Sequence, residues 1–414
     1  MSIFDIAALL VGLAAVFGYV NHRFLRLPQS IGLLVIALVA SLALLGLDAI
    51  VPAAGIKQGL GGLMGQIDFH EALMNGMLSF LLFAGALHVN LDRLRSRAWS
   101  IGLMASLGVV TSTFLVGTAS WYLFDLLGMP VPYAYALVFG ALISPTDPVA
   151  VLSILKSANT PASLEVKIAG ESLFNDGVGV VVFAVLVAIA AAGGDAMGPG
   201  DVAALFALEA GGGVLLGLAG GYVVYRALAG IDDYVLEVMI TLALVMVAQL
   251  VAHRLHVSAP LAVVVAGLMI GNQGMHHAMG EKTRDHVEKF WILLDEILNA
   301  VLFLLIGLEV LVLGFDMNVI LATLITIPVV LMARFVAVSL PVTGLGLLGR
   351  EFTRGAIPML TWGGLRGGIS VALALSLPDS EFKPLILSVT YGVVLFSIIV
   401  QGLSIKTVAQ KVIR

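Results

Sequence analysis

Residues 143–149 read ISPTDPV, within a segment that is otherwise apolar from residue 132 to residue 155. Pro145 and Pro148 bracket Asp147. Each proline removes a helix hydrogen bond and clashes with the preceding turn, so the sequence predicts a helix that is broken near Asp147. Inside a membrane, the free backbone groups of such a break are tolerated only where they line a cavity or are buried in protein.

The composition around this stretch is that of a membrane protein. Of the 414 residues, 60% are apolar and 11% are charged, whereas soluble domains carry about 45–50% and about 25%. The chain has no cysteine, which excludes disulfides and Cys–zinc sites, and no cofactor is predicted. No Lys/Arg-rich run indicates a nucleic-acid partner. Residues 4–20 lack the features of a cleaved signal peptide and are predicted to be a retained first helix.

The apolar segments predict an all-α polytopic protein whose main partner is the lipid bilayer. A spanning helix needs about 20 mostly apolar residues, and β-barrel strands would be shorter and alternating. A Gly-rich outer loop is predicted around 48–71, and the glycines between 211 and 221 are expected to allow close helix contact. About 13 spans are predicted, at 4–20, 30–47, 72–89, 98–124, 132–155, 165–192, 202–225, 234–252, 257–272, 289–312, 317–342, 355–377 and 384–404.

Basic residues predict the orientation, because Lys and Arg concentrate in cytoplasmic loops. With the N-terminus outside, the inner loops and the tail hold all but five of the 21 Lys and Arg residues. Lys57, Arg254 and Lys383 fall outside, and Arg334 and Arg366 fall within predicted helices. The sequence therefore predicts an inner-membrane protein with its C-terminus in the cytoplasm.

A second interruption is predicted in span 12, where residues 362–368 read WGGLRGG after Pro358. Spans 5 and 12 are an odd number of spans apart, so the second copy would be inverted, as in transporters with a site between two broken helices. We expect one transmembrane domain over residues 1–414, with a first repeat at about 1–192, a linker helix at about 202–225 and an inverted second repeat at about 234–408.

Two aspartates are predicted to meet at one depth. Asp147 lies nine residues before Lys156, and Asp176 lies nine residues after Lys167. At a rise of 1.5 Å per residue, both are roughly 13 Å from the cytoplasmic face. Ionisable groups at such depth are costly and usually functional, although Asp147 could merely cap the broken helix.

Span 6 carries a polar edge, because residues 171–177 read ESLFNDG. Glu171 with Asn175, and Ser172 with Asp176, have the i,i+4 spacing of one helix face. A carboxylate beside hydroxyl oxygens suits a hard cation such as Na⁺. Desolvation favours the protonated form of a carboxyl group and a bound cation favours the ionised form, so one such group can exchange the two ions.

At these residues the chain resembles the monovalent cation:proton antiporter family, in the branch of NhaP-type antiporters and Na⁺/H⁺ exchangers. The resemblance rests on ISPTDPVAVL (143–152), ESLFNDGVGVVVF (171–183), LFLLIGLE (302–309) and WGGLRGGISVALAL (362–375). It implies a core domain packed on a dimerising interface domain, a homodimer, and elevator-like alternating access. Many members carry a glutamate in an LxFE-type segment of span 3, whereas here Ala84 stands at that place.

The resemblance also implies residue roles. Asp176 would carry Na⁺ or H⁺, and Asn175 would orient it. An Asn-Asp pair in this family goes with electroneutral exchange. Asp147, Thr146 and Ser172 would line the site, and the Na⁺ ligands would be Asp176, Thr146 and Ser172. Glu171 and Arg334 would form a structural ion pair, and Arg366 would have a supporting role.

Several alternatives stay open at this stage. Arg366 could serve helix packing or backbone capping, and Glu296 and Asn299 could line a cavity or form a packed polar pair. The predicted function is Na⁺/H⁺ antiport, with Li⁺ also a candidate substrate. Competing functions are K⁺/H⁺ antiport, a channel or organic-anion symporter, and an intramembrane aspartyl protease that uses Asp147 and Asp176.

Overall fold

A computed structural model describes the following parts of the chain: residues 3–51, 71–91, 98–148, 151, 162–192, 198–275, 278–311, 316–347 and 355–412. These residues form helices and no β-strand. Residues 52–70 of the predicted Gly-rich outer loop lie outside this described part.

The described helices follow the predicted apolar segments. In chain order they are α1 (Ile3–Val20), α2 (Gln29–Ile50), α3 (Leu78–Leu87), α4 (Ala98–Leu126), α5 (Tyr133–Ile143), α6 (Ala162–Ala191), α7 (Pro199–Phe206), α8 (Gly212–Leu228), α9 (Tyr234–Leu255), α10 (Ala259–Met269), α11 (Glu281–Glu309), α12 (Met317–Leu347), α13 (Ala356–Trp362), α14 (Gly368–Leu375), α15 (Lys383–Phe396) and α16 (Gly402–Val412). Short π-helical turns adjoin some of them, at Asn21–Leu25, Glu71–Met77, Ala207–Gly211, Ile270–Gly274 and Ser397–Gln401.

Within the described part of the chain, nine helices are long and apolar enough to cross a membrane. Shorter apolar helices stand at Leu78–Leu87, Tyr133–Ile143 and Ala259–Gly274, where spans 3, 5 and 9 are predicted. Span 12 is divided into α13 and α14. In the described part of the chain each predicted span contains helical structure, and the prediction of an all-α polytopic protein is confirmed.

Glycine allows α8 to lie directly against α10. A Cβ added at Gly217 would be 2.3 Å from the carbonyl oxygen of Ala262, and one at Gly213 would be 2.6 Å from that of Ser258. Real Cβ atoms do not approach backbone so closely, so the glycines at these places permit the contact that the sequence predicts.

The buried side chains form two clusters. The larger one joins α1, α2, α4, α5, α6, the second half of α11 and the helices from α12 to α16. The smaller one joins α3, α8, α9, α10 and the first half of α11. In the larger cluster α4 packs against α5, α6 and α12, and α14 packs against α5 and α15. The interruptions of spans 5 and 12 therefore lie within the larger cluster.

Candidate functional site

Two interrupted helices cross at the centre of the candidate site. The chain is non-helical from Ser144 to Pro148, and a second non-helical stretch separates α13 from α14. Where they meet, the backbone NH of Asp147 donates to the carbonyl of Leu365 at 2.8 Å, in an isolated antiparallel bridge. Prolines account for the first break, and glycine pairs, which are weak helix formers, account for the second.

Glycines bring the neighbouring backbone into direct contact with the first break. A Cβ at Gly367 would be 2.3 Å from Oδ2 of Asp147, and a Cβ at Gly179 on α6 would be 2.3 Å from Cγ of Pro145. Neither position has room for a side chain. The Asp147 carboxylate and the Pro145 ring are thereby held between α6 and the second break.

A side-chain network from α6 fixes the first break. Oδ1 of Asn175 accepts from the backbone NH of Thr146 at 3.2 Å, and Nδ2 donates to Oγ1 of Thr146 at 2.8 Å. The Thr146 hydroxyl also lies 3.0 Å from Oγ of Ser172. All three side chains are buried. The amide of Asn175 therefore engages Thr146, whereas the resemblance implied that it orients Asp176.

Asp176 lies one helical turn beyond Ser172 and is 4% exposed. Among the residues that the structure describes, its Oδ1 atom has no hydrogen-bond partner. Asp147, which is half-buried, is close enough for its charge to act on Asp176. Burying an unsatisfied carboxylate is costly, and either a proton or a bound cation reduces that cost. The Asp176 carboxyl thus has the chemistry of a site for one positive charge.

Glu171 and Arg334 form a buried ion pair beside this site. The guanidinium of Arg334 contacts both carboxylate oxygens of Glu171, with 2.8 Å between Nη2 and Oε2. Nε and Nη2 of Arg334 also donate to the carbonyl of Leu360 at 3.2 and 3.1 Å. One residue from α12 therefore ties α6 to α13, and planar bidentate pairing of this kind suits arginine better than lysine.

Arg366 links the second break to the first. Its Nη1 atom donates to the carbonyl of Ser144 and, at 2.9 Å, to the carbonyl of Pro145. Its backbone NH donates to Oγ of Ser397 at 2.9 Å, and that hydroxyl donates to Gln401 at 2.7 Å. The side chain is 2% exposed. The guanidinium thus binds the carbonyl of Ser144, whose i+4 residue is Pro148 and has no NH to donate, and the adjacent carbonyl of Pro145.

The sequence profile described as "Sodium/hydrogen exchanger, transmembrane" matches residues 11–411. The chain belongs to the sodium/hydrogen exchanger family. Among its relatives, the Na(+)/H(+) antiporter NhaP of Pseudomonas aeruginosa is 50% identical over 99% of this chain and 96% of its own. The Na(+)/H(+) antiporter NhaH of Halobacillus dabanensis is 35% identical over 94% and 93%.

The fold is similar to that of a solved exchanger. The sodium proton antiporter MjNhaP1 from Methanocaldococcus jannaschii superimposes with a TM-score of 0.76 at 19% identity, covering 99% of this chain and 98% of that one. The match to the family profile and the identity to NhaP confirm the family that the four motifs predict. Membership of a transporter family also removes support from the intramembrane aspartyl protease.

One polar pair in the exchanger differs from the prediction. The sequence grouped Asn299 with Glu296, whereas Nδ2 of Asn299 donates to Oδ1 of Asp295 at 3.1 Å and Glu296 is exposed. Asp147 is among the charged groups that act on Asp295. The i,i+4 spacing of Asp295 and Asn299 in the sequence could have indicated this pair, because residues four apart are neighbours on a helix surface.

Ala84 of the exchanger is buried in α3, and its carbonyl accepts from Nδ1 of His88 at 2.7 Å.

Sequence reasoning missed the hydrogen-bond network that holds the backbone of Arg366 through Ser397 and Gln401. Nε2 of Gln401 donates to the carbonyl of Trp362 at 3.0 Å, which holds Gln401 against the end of α13. No spacing rule links such distant residues, so only the fold reveals this contact.

Proposed function

We propose that the protein exchanges Na⁺ for H⁺ across the membrane, with Asp176 holding either ion but never both. The observation that carries the proposal is the burial of Asp176 beside two crossed helix breaks, with a carboxylate oxygen that has no hydrogen-bond partner in the described part of the chain. The names of the two relatives described above agree with this function.

Oxygen atoms near Asp176 suit Na⁺ as cargo. The hydroxyls of Thr146 and Ser172 lie 3.0 Å apart on adjacent segments, and hard cations prefer oxygen ligands. We assign Asp176, Thr146 and Ser172 as Na⁺ ligands and Asp147 as a lining residue. Asn175 positions Thr146 through its two hydrogen bonds.

The charges around the site favour one-for-one exchange. Glu171 and Arg334 offset one another within their ion pair. Asp176 holds one positive charge, either Na⁺ or H⁺, in each half of the proposed cycle. Na⁺ and H⁺ supply the same charge, and the loaded site is therefore electrically equivalent in both halves of the cycle.

The proposed architecture is that of inverted repeats at about 1–192 and 234–408, joined by a linker helix at about 202–225. The crossing of the two breaks and the packing of α4 on α12 support it. We further propose alternating access in a homodimer of the cell membrane. The distribution of Lys and Arg supports an external N-terminus and a cytoplasmic C-terminus.

The test is transport by purified protein in liposomes, with an internal pH dye as the readout. Wild-type protein is expected to respond to a Na⁺ gradient, and Asp176→Asn to give no response, because an amide holds neither a titrating proton nor a paired cation. Asp125→Asn, at an exposed position on α4, is the matched control and should transport like wild type.

Further transport measurements define which cation is exchanged and the stoichiometry of the exchange. Na⁺, Li⁺ and K⁺ are compared at equal concentration, each with and without an imposed membrane potential. We expect Na⁺ to drive exchange at a rate that does not depend on the potential. Exchange retained by Asp176→Asn, or a response to K⁺ alone, would overturn the proposal. A rate that follows the potential would overturn the one-for-one stoichiometry.

A further inference from the structure

The turn between α1 and α2 is fixed by one buried side chain. Nδ2 of Asn21 donates to the carbonyl of Leu27 at 2.9 Å, and Oδ1 of Asn21 accepts from the NH of Leu27 at 3.2 Å. The NH of Arg26 donates to the carbonyl of Asn21 at 2.7 Å. Asn21 is 4% exposed. The turn is therefore held in a defined shape by hydrogen bonds within the chain.

Two backbone features set that shape. Arg26 has a φ of 54°, in the left-handed region that residues other than glycine rarely adopt. On α2, a Cβ at Gly32 would be 2.2 Å from Cγ of Asn21, so only glycine lets the Asn21 side chain lie beneath the turn. A strained backbone of this kind persists where its surroundings hold it in place, and it often accompanies a functional site.

The turn lines a basic, open cavity of about 640 Å³ at the protein surface. Its charged or titratable lining consists of His22, Arg23 and Arg26, all of which are exposed. Asn21 and Gln29 add amide groups, and none of the described lining residues is acidic. Two guanidinium groups on one fixed turn favour a phosphate, which accepts several charge-assisted hydrogen bonds.

Apolar side chains next to the cavity favour a lipid headgroup over a soluble phosphate as the ligand. Phe24 is 70% exposed, Leu25 is 46% exposed and Tyr19 is 66% exposed. The guanidinium carbon of Arg23 lies 5.8 Å from the centre of the Phe24 ring. Only 17% of the most apolar stretch of this span is buried inside the protein. A soluble phosphate needs no such neighbours, whereas the acyl chains of a lipid would cover them.

We propose that the α1–α2 turn binds the phosphate group of an anionic phospholipid. Arg23 and Arg26 hold the headgroup, and the acyl chains lie along the exposed face of α1. The orientation proposed above puts this turn at the cytoplasmic leaflet, where basic pockets meet anionic headgroups. The lipid site is separate from Asp176 and does not depend on which cation the protein exchanges.

The experiment counts lipids bound to the purified full-length protein by native mass spectrometry. Dioleoyl phosphatidylglycerol and dioleoyl phosphatidylcholine are titrated separately into detergent solution. Wild-type protein should retain phosphatidylglycerol in preference to phosphatidylcholine. The double variant Arg23→Gln/Arg26→Gln should bind phosphatidylglycerol about thirtyfold more weakly, since each basic residue near an anionic lipid contributes separately.

The matched control is Lys406→Gln/Lys411→Gln, which removes two exposed charges from α16 on the same predicted side of the membrane. It should bind phosphatidylglycerol like wild type. Arg23→Lys/Arg26→Lys should recover part of the affinity, because the charges return but the planar guanidinium donors do not. Glycine readily adopts the left-handed backbone conformation of residue 26, so Arg26→Gly should leave the fold unchanged. It should nevertheless weaken the binding of phosphatidylglycerol.

Three results would overturn the proposal. The first is equal loss of phosphatidylglycerol in the glutamine variant and in its control, which would indicate general charge attraction. The second is equal binding of phosphatidylglycerol and phosphatidylcholine by wild type. The third is displacement of the lipid by millimolar glycerol phosphate, which would make this a site for soluble phosphates. Melting temperatures without lipid verify that each variant is folded.

Discussion

Asn175 and Thr146 are joined by two hydrogen bonds, one to the backbone NH and one to the side-chain hydroxyl of Thr146. The first fixes the conformation of the broken helix, and the second directs the hydroxyl. Because Thr146 directly precedes Asp147, the Asn175 amide helps to set the geometry of the break at that aspartate. Polar interactions of this kind, buried and paired, constrain a site more than they stabilise it.

Thr146→Val is predicted to weaken Na⁺ transport and the fold together. It removes the acceptor of Nδ2 of Asn175, and an unsatisfied buried donor costs about 1–3 kcal/mol. It also removes a proposed Na⁺ ligand, so we expect the KM for Na⁺ to rise about tenfold, as a loss of about 1.4 kcal/mol implies. Thr146→Ser keeps the hydroxyl and should resemble wild type in both measurements. An unchanged KM in Thr146→Val would remove Thr146 from the ligand set.

Glu171→Ala is predicted to destabilise the protein strongly. Among the residues that the structure describes, it leaves the buried Arg334 guanidinium with the Leu360 carbonyl as its remaining hydrogen-bond partner. Breaking a buried pair costs about 3–5 kcal/mol. The measurement is the melting temperature in detergent, with Glu281→Ala at an exposed position as the control. A large change in KM for Na⁺ at an unchanged melting temperature would indicate that Glu171 binds the ion instead.

Gly179→Ala is predicted to displace the first helix break. Its Cβ would be 2.3 Å from Cγ of Pro145, and overpacking of this kind costs about 1–3 kcal/mol. Gly344→Ala on α12 adds the same methyl group where no atom lies within 4 Å. We expect a lower melting temperature and slower exchange for Gly179→Ala only. Equal behaviour of the two variants would show that the Pro145 ring has room to move.

Proton competition at Asp176 predicts how the KM for Na⁺ depends on pH. A proton and Na⁺ exclude one another from one carboxylate, so by mass action the KM for Na⁺ rises as pH falls, by up to about tenfold per pH unit. The maximal rate at saturating Na⁺ should change less. Initial rates across a pH series in liposomes measure both quantities. A KM that is constant with pH would argue for separate sites for the two ions.

Much of the fold follows from local sequence properties. Length and hydropathy predict each span, because a bilayer fixes the length of a crossing helix. The prolines around Asp147 and the glycines around Arg366 predict both interruptions, because these residues act on the backbone itself. Family membership was also within reach, since four motifs occur in one order.

The contacts of the site depend on information that spacing does not carry. The bridge between Asp147 and Leu365 joins residues far apart in the chain, and no periodic pattern specifies its register. The same holds for the guanidinium of Arg366 on the carbonyls of Ser144 and Pro145. A sequence indicates that such a group needs a partner, whereas packing decides which partner it finds.

The bridge between the two breaks consists of main-chain atoms only, the NH of Asp147 and the carbonyl of Leu365. Substitution at residue 147 or 365, proline at 147 excepted, leaves both bonding groups in place. The proposed cation ligands are, by contrast, side chains. Substitution of a ligand side chain can therefore change which cation is transported, while the main-chain hydrogen bond that joins the two breaks is retained.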